Sequence, residues 1–210
     1  MDGLEWIFDP VPPSGALSGG DPASYVFKPS IDTFVREVVQ NSNDQRGGEG
    51  MVDVTFALHE FTGGDAADTA LSAVGWNQLV THLEAVSETE SLIAGRVREA
   101  VDDASQGRLL MLAVSDRNTR GLYGEEMSTD GNFAPLCRHK LVTSDDKTLG
   151  GGSHGLGKAV LWSFSSISTV AFASVIDDDP GQTRYIARTE LPYHDHAGTV
   201  WAGQGWYGVP

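Results

Sequence analysis

The chain carries one cysteine and only four lysines. Cys137 alone excludes an internal disulfide and suits a reducing compartment. So few lysines, in a chain of formal charge −15, argue against broad contact with nucleic acid, which needs clustered Lys and Arg facing phosphates. A well-solvated acidic surface is the simpler reading of that charge. No apolar run reaches the roughly 18 residues that a membrane-spanning helix needs. The first residues, MDGLEWIFDP, have no basic segment followed by an apolar core, so they do not read as a signal peptide. A cytoplasmic protein without membrane contact is the expectation.

What is present is globular. With 210 residues and 40% apolar content, the chain can form one domain with a core, or a domain with an appendage. Residues 1–30 hold five prolines among Gly and Ser and read as an extended arm, which Trp6, Ile7 and Phe8 would pin to a neighbour. Residues 31–210 form the expected domain. IDTFVREVVQNSNDQR, 31–46, reads as a helix capped by Ser30 or Asp32, with Ile31, Phe34, Val35 and Val38 as its apolar stripe.

Residues 51–61 alternate like a strand, and 65–103 read as two helices broken near Ser87–Ser91. RLLMLAVSD, 108–116, is a buried strand ending in a carboxylate. The polar stretch at about 117–154 is long enough for a lid or binding loop. A helix begins near Gly157, and 167–177 and 183–191 form a hairpin around DDPG. The tail HDHAGTVWAGQGWYGVP has no legible element. This order predicts an α/β (α+β) two-layer sandwich, a mixed and largely antiparallel sheet with helices on one face.

Three constellations carry chemistry. Glu37, Asn41 and Asp44 stand at spacings of 4 and 3. At ~100° per residue they share an arc of roughly 60° on the helix. One edge thus offers a base, a neutral oxygen ligand and a second carboxylate, a set that suits a hydrated Mg²⁺ and an attacking water. Asp116 stands at a strand end and can accept a hydrogen bond from an exocyclic amine such as that of adenine. Gly121 lets backbone approach a flat ring. The loop GGGSHGLGK, 150–158, can cradle phosphate with backbone N–H groups, with Lys158 as a nearby charge. A P-loop is the competing reading of that loop: Gly152, Gly157 and Lys158 fit it. Ala159, however, stands where a Mg²⁺-binding hydroxyl belongs, and the preceding LVTSDDKT is no buried strand.

Taken together, the three resemble the motifs of the GHKL ATPases, the Bergerat-fold family that includes gyrase B subunits, MutL and MORC proteins. EVVQNSND, Glu37–Asp44, matches the N box, E-x-x-x-N-x-x-D. SDRNTRGL resembles the G1 box, D-x-G-x-G, with Asn118 at the place of its first glycine and Gly121 one residue late. Asn tolerates positive φ, so the turn is expected to survive. GGSHGLGKAVL, Gly151–Leu161, is similar to the G2 box. The resemblance implies ATP as ligand and Mg²⁺ as cofactor, with Glu37 as general base and Asn41 on the metal. It puts Asp44 near the base or ribose, and Asp116 with Gly121 on adenine. Gly152, Ser153, His154, Gly155, Leu156, Gly157 and Lys158 would hold the phosphates, and residues 122–150 would be a mobile lid. It also implies ATP-driven pairing with a second copy or a subunit of a larger machine. A sensor that holds adenine nucleotide without hydrolysing it is the alternative. His194-x-His196 is read as incidental rather than as a metal site, because no third ligand is visible.

Overall fold

The computed structural model describes residues 3–20, 30–128, 130–139, 158–176 and 179–209. Its elements run β1 (Glu5–Pro10), α1 (Ile31–Asp44), β2 (Asp53–Thr62), α2 (Asp65–Ala73), α3 (Trp76–Ser87), α4 (Ala94–Ser105) and β3 (Arg108–Arg117). They continue with α5 (Phe133–Cys137), α6 (Ala159–Phe164), β4 (Thr169–Ile176), β5 (Asp179–Glu190), β6 (His194–His196) and β7 (Thr199–Gly208). The fold is mixed α and β, and every strand pairing among the described residues is antiparallel. No helix among the described residues is long and apolar enough to cross a membrane.

Among the described residues the strands form two sheets. The larger has five strands in the order β1-β7-β5-β4, with β6 also on β7, and β2 and β3 form a sheet of their own. The expected helix layer on one face is corrected at the larger sheet. Neighbouring residues of a strand point to opposite faces. Ala187 packs with Leu79, Leu83 and Val86 of α3 and Val97 of α4, whereas Ile186 packs with Phe133, Ala134 and Cys137 of α5. Both faces of this sheet are therefore covered.

The N-terminal arm is part of the sheet. β1 pairs with β7, Trp6 opposite Tyr207 and Phe8 opposite Gly205. Trp6 and Phe8 are buried, while Ile7 between them is exposed, as period-2 alternation requires. The indole N–H of Trp6 donates to the Val74 carbonyl at 2.9 Å. The unassigned tail is the strand with the most neighbours, since β7 pairs with β1, β5 and β6. Its glycines hid it from a hydrophobic pattern, but they are needed for close approach: a Cβ on Gly205 would lie 2.6 Å from the Phe8 ring.

Three helices, not two, fill 65–105, because the chain also breaks at Val74–Gly75. Ser30 caps α1 by accepting from the Thr33 N–H at 3.1 Å. The buried stripe of α1 is Phe34, Val38 and Ser42. Ile31 and Val35, expected inside, are exposed, because α1 lies on a sheet only two strands wide.

Candidate functional site

The β2–β3 register builds the first wall of the site. Val54 faces Asp116, Phe56 faces Val114 and Leu58 faces Leu112, so these residues share one face. Phe34 and Val38 of α1 pack on that face with Val54 and Val114, and Phe34 meets Phe56 edge-on at 6.3 Å. Asp116 therefore lies on the sheet face that α1 covers. The far end of the helix is tied to the loop after Asp116. Gly47 N–H donates to the Asn118 carbonyl at 2.9 Å and Arg120 N–H to the Gln45 carbonyl at 2.8 Å, and Arg46 bridges to Thr119.

That loop takes the conformation expected of it. Asn118 has φ 62° and Gly121 φ 71°. At Gly121 a side chain is excluded twice: the left-handed backbone disfavours it, and a Cβ would lie 2.3 Å from the Val175 carbonyl oxygen. Thr119 Oγ1 donates to Asp116 Oδ1 at 3.0 Å, which orients an otherwise exposed carboxylate. Asn132, which the sequence did not single out, closes this corner. Its amide donates to Gln45 Oε1 at 2.9 Å and to the Gly121 carbonyl at 2.8 Å. With both protons committed, its buried Oδ1 has no partner and stands as an acceptor beside Gly121.

Along the edge of α1, Glu37 and Asn41 are half-buried and Asp44 is exposed. The Glu37 side chain is 18% exposed and pairs with Arg36 at 3.4 Å. α6, the helix that follows the glycine loop, packs on α1, with Phe164 stacked on Phe34 at 4.3 Å and Val160 in the same cluster. The tertiary structure thus joins α1, the Asp116 loop and the helix after Lys158. Gly152, Ser153, His154, Gly155, Leu156 and Gly157 lie outside the described residues, as do residues 140–150 of the expected lid. Lys158 is described, and its ammonium donates to the carbonyls of Pro135 and His139, the latter at 2.6 Å. A groove of about 480 Å³ lies on the other flank of α1, lined by Arg36, Gln40, Asn43 and four valines, and includes neither Glu37 nor Asp116.

His194 and His196 acquire a neighbour invisible in sequence. His82 of α3 stacks under Phe8 with ring centroids 3.8 Å apart, and its Nδ1 lies 2.8 Å from His194 Nε2. His194 Nδ1 donates to the Pro192 carbonyl at 2.9 Å, which makes its Nε2 the acceptor and His82 Nδ1–H the donor. Neither nitrogen of His194 is then free for a metal. No group of three His, Cys, Asp or Glu suited to a metal occurs among the described residues. Burial first, then the nearby His194 and His196, push the His82 pKa down to about 4, and burial lowers that of His194 also.

The class that these observations define is a mixed α+β protein with antiparallel sheets, in which α1, the helix of Glu37, Asn41 and Asp44, is tied to the loop after Asp116 while Lys158 is held by the carbonyls of Pro135 and His139. No family model, curated protein or solved structure matches the chain.

Proposed function

We propose that this chain is a Mg²⁺-dependent ATP-binding domain of the GHKL type that hydrolyses ATP slowly. The observation that carries the reading is the convergence of α1 and the Asp116–Gly121 loop. Segments some 70 residues apart in sequence meet through the Gly47–Asn118 and Arg120–Gln45 hydrogen bonds, with Asp116 on the face that α1 covers. Asp116 accepts from the adenine amine, and the partnerless Oδ1 of Asn132 offers a second acceptor near Gly121. Asp44 borders the base or ribose. Gly152–Gly157 and Lys158 enclose the phosphates, which requires Lys158 to leave the carbonyls of Pro135 and His139.

Asn41 would be the protein ligand of a Mg²⁺ that arrives with the nucleotide. It is a half-buried neutral oxygen donor, no group of three metal-ligating side chains occurs among the described residues, and Mg²⁺ commonly takes few protein ligands. Bound there, the metal would neutralise phosphate charge. Glu37, one turn earlier on the same helix, would accept a proton from water. Closure of the segment between Leu122 and the glycine loop over the γ-phosphate would couple nucleotide state to association with a second copy or a larger machine.

Phosphate release by the pure protein tests the proposal. Glu37→Ala should lower the rate at least about 100-fold while nucleotide binding persists. Equal rates in the two proteins would favour the second reading, a non-hydrolysing nucleotide sensor. That reading draws on the Arg36–Glu37 ion pair, which occupies the carboxylate that would take the proton. Asp116→Asn should abolish binding in a calorimetric titration, because an amide presents a donor where adenine also donates; unchanged affinity would remove the adenine role.

A further inference from the structure

Basic side chains are scarce in this chain, yet four gather in one place. Arg138, Lys158, Arg184 and Arg188 all act electrostatically on the buried Cys137 thiol. Arg184 and Arg188 stand on one face of β5, either side of Ile186, with Trp206 of β7 opposite Arg188 and α5 packed above. Arg184 lies over the Phe133 ring at 4.7 Å and Arg138 over the same ring at 6.0 Å. Arg188 is 1% exposed and is flanked by Trp162 at 4.9 Å and Trp206 at 5.8 Å.

The partners that the fold provides do not use up these donors. Arg188 bonds Glu190 and the carbonyls of Cys137 and His139, and Arg138 pairs with the mostly exposed Glu126 at 3.0 Å. Five nitrogens remain buried without a hydrogen-bond partner: Arg188 Nε, Arg184 Nη1, Arg138 Nε, His139 Nδ1 and Trp206 Nε1. Buried polar groups are nearly always satisfied, and a charged donor left unpaired is the costliest exception. Cys137 cannot serve as the counter-anion. Its thiol is pushed up to about 12 by burial, against the pull of the four cations, and so stays neutral. Among the described residues, Glu126 and Glu190 are the carboxylates paired with this group.

We propose that the layer between α5 and the β5–β7 face is a binding site for a phosphate-type oxyanion, with Arg138 and Arg184 as its half-buried rim and Arg188, His139 and Trp206 as its floor. Donors arriving from several elements suit an anion with three or more oxygens better than a planar carboxylate, and guanidinium forks favour such oxygens. The anion has two possible sources, free phosphate or the phosphate tail of a nucleotide, since Lys158 joins this cluster directly to the glycine loop. The assignment stands on the described cluster alone and does not depend on the ATPase reading.

Calorimetric titration of the whole chain with orthophosphate, inorganic tripolyphosphate and ATP, at ionic strength matched with sodium chloride, tests it. Binding of orthophosphate or tripolyphosphate is expected, weakened about tenfold by Arg184→Ala and by Arg138→Ala. Arg184→Lys should lose less, and Arg108→Ala, at an exposed surface pair, should lose nothing. Thermal melts without anion check that the variants fold; Arg184→Lys carries the test if the alanine variants do not. ATP affinity that falls in parallel identifies a nucleotide tail as the source. ATP affinity indifferent to both variants, with the inorganic anions still affected, identifies free phosphate. Failure of all three ligands to bind, or inorganic-anion binding unchanged in the rim variants, overturns the site; in the second case ATP binding by the same variants would leave the nucleotide reading intact.

Discussion

The corner formed by α1 and Asp116 and the cation layer beneath α5 are opposite solutions to placing charge. At the corner, carboxylates sit at or near the surface: Asp44 and Asp116 are exposed and Glu37 is partly so. Beneath α5, Arg188 and Glu190 are almost wholly buried, and aromatic faces and carbonyls stand in for water. The corner rests on a sheet of two strands and the cation layer on one of five. A narrow sheet cannot enclose charge, so solvent solvates it. A sheet covered on both faces can enclose charge, but only with partners. The lesson is that the corner can change charge with little effect on folding, whereas the cation layer cannot.

The largest effect should come from breaking the buried side of this comparison. Arg188→Ala takes the ion pair away from the buried Glu190 carboxylate, which the Gln204 amide also meets at 3.0 Å, and should cost about 3–5 kcal/mol of unfolding free energy in a denaturant titration. Glu37→Ala, measured in the same way, should lie within about 0.5 kcal/mol of the parent. Comparable losses in the two would dissolve the contrast.

A smaller effect should come from acid. His82, held at about 4 when folded against roughly 6.5 when unfolded, binds its proton more readily in the unfolded chain. Stability should therefore be full above about pH 6.5, fall as the pH drops toward 4, and level off below it as far as this group is concerned. His194, also lowered, acts in the same direction. Because the His82 ring is only half-buried, about 1–2 kcal/mol is expected across that window. His82→Phe should flatten this part of the profile, as the neighbours facing the ring, Phe8, Trp201, His194 and His196, include no carboxylate. The smallest effect belongs to the narrow sheet. Ser30→Ala removes the cap of α1 and should cost about 1 kcal/mol, without altering the acid profile.

Much of the corner was legible in sequence. The Ser30 cap, the presence of a strand through Asp116 and the positive φ at Asn118 follow from residue types within a few positions of each other, whereas the burial expected of that strand fails, because none of its residues is buried in a sheet of two strands. Asn132 was not legible, because nothing local marks an asparagine that will bridge Gln45 and Gly121. The cation layer left a fainter trace. Arg184, Ile186, Arg188 and Glu190 alternate along a strand next to an apolar face, a pattern that reads as a solvent-exposed side. Only the arrival of α5 and Trp162 makes it interior. The tail failed as a strand because glycines took the positions where alternation looks for bulk, and the break at Val74–Gly75 was lost within a continuous helical pattern.

By itself the sequence determined what short-range chemistry controls: where α1 begins, which strands alternate, and where the turns lie. These depend on steric and hydrogen-bonding preferences spanning one or two turns of chain. The tertiary structure alone decided that the ends of the chain meet as β1 and β7, that His82 joins His194, and that four cations are drawn in around one thiol. Those outcomes depend on packing between residues tens of positions apart, where burial rather than local preference sets the free energy.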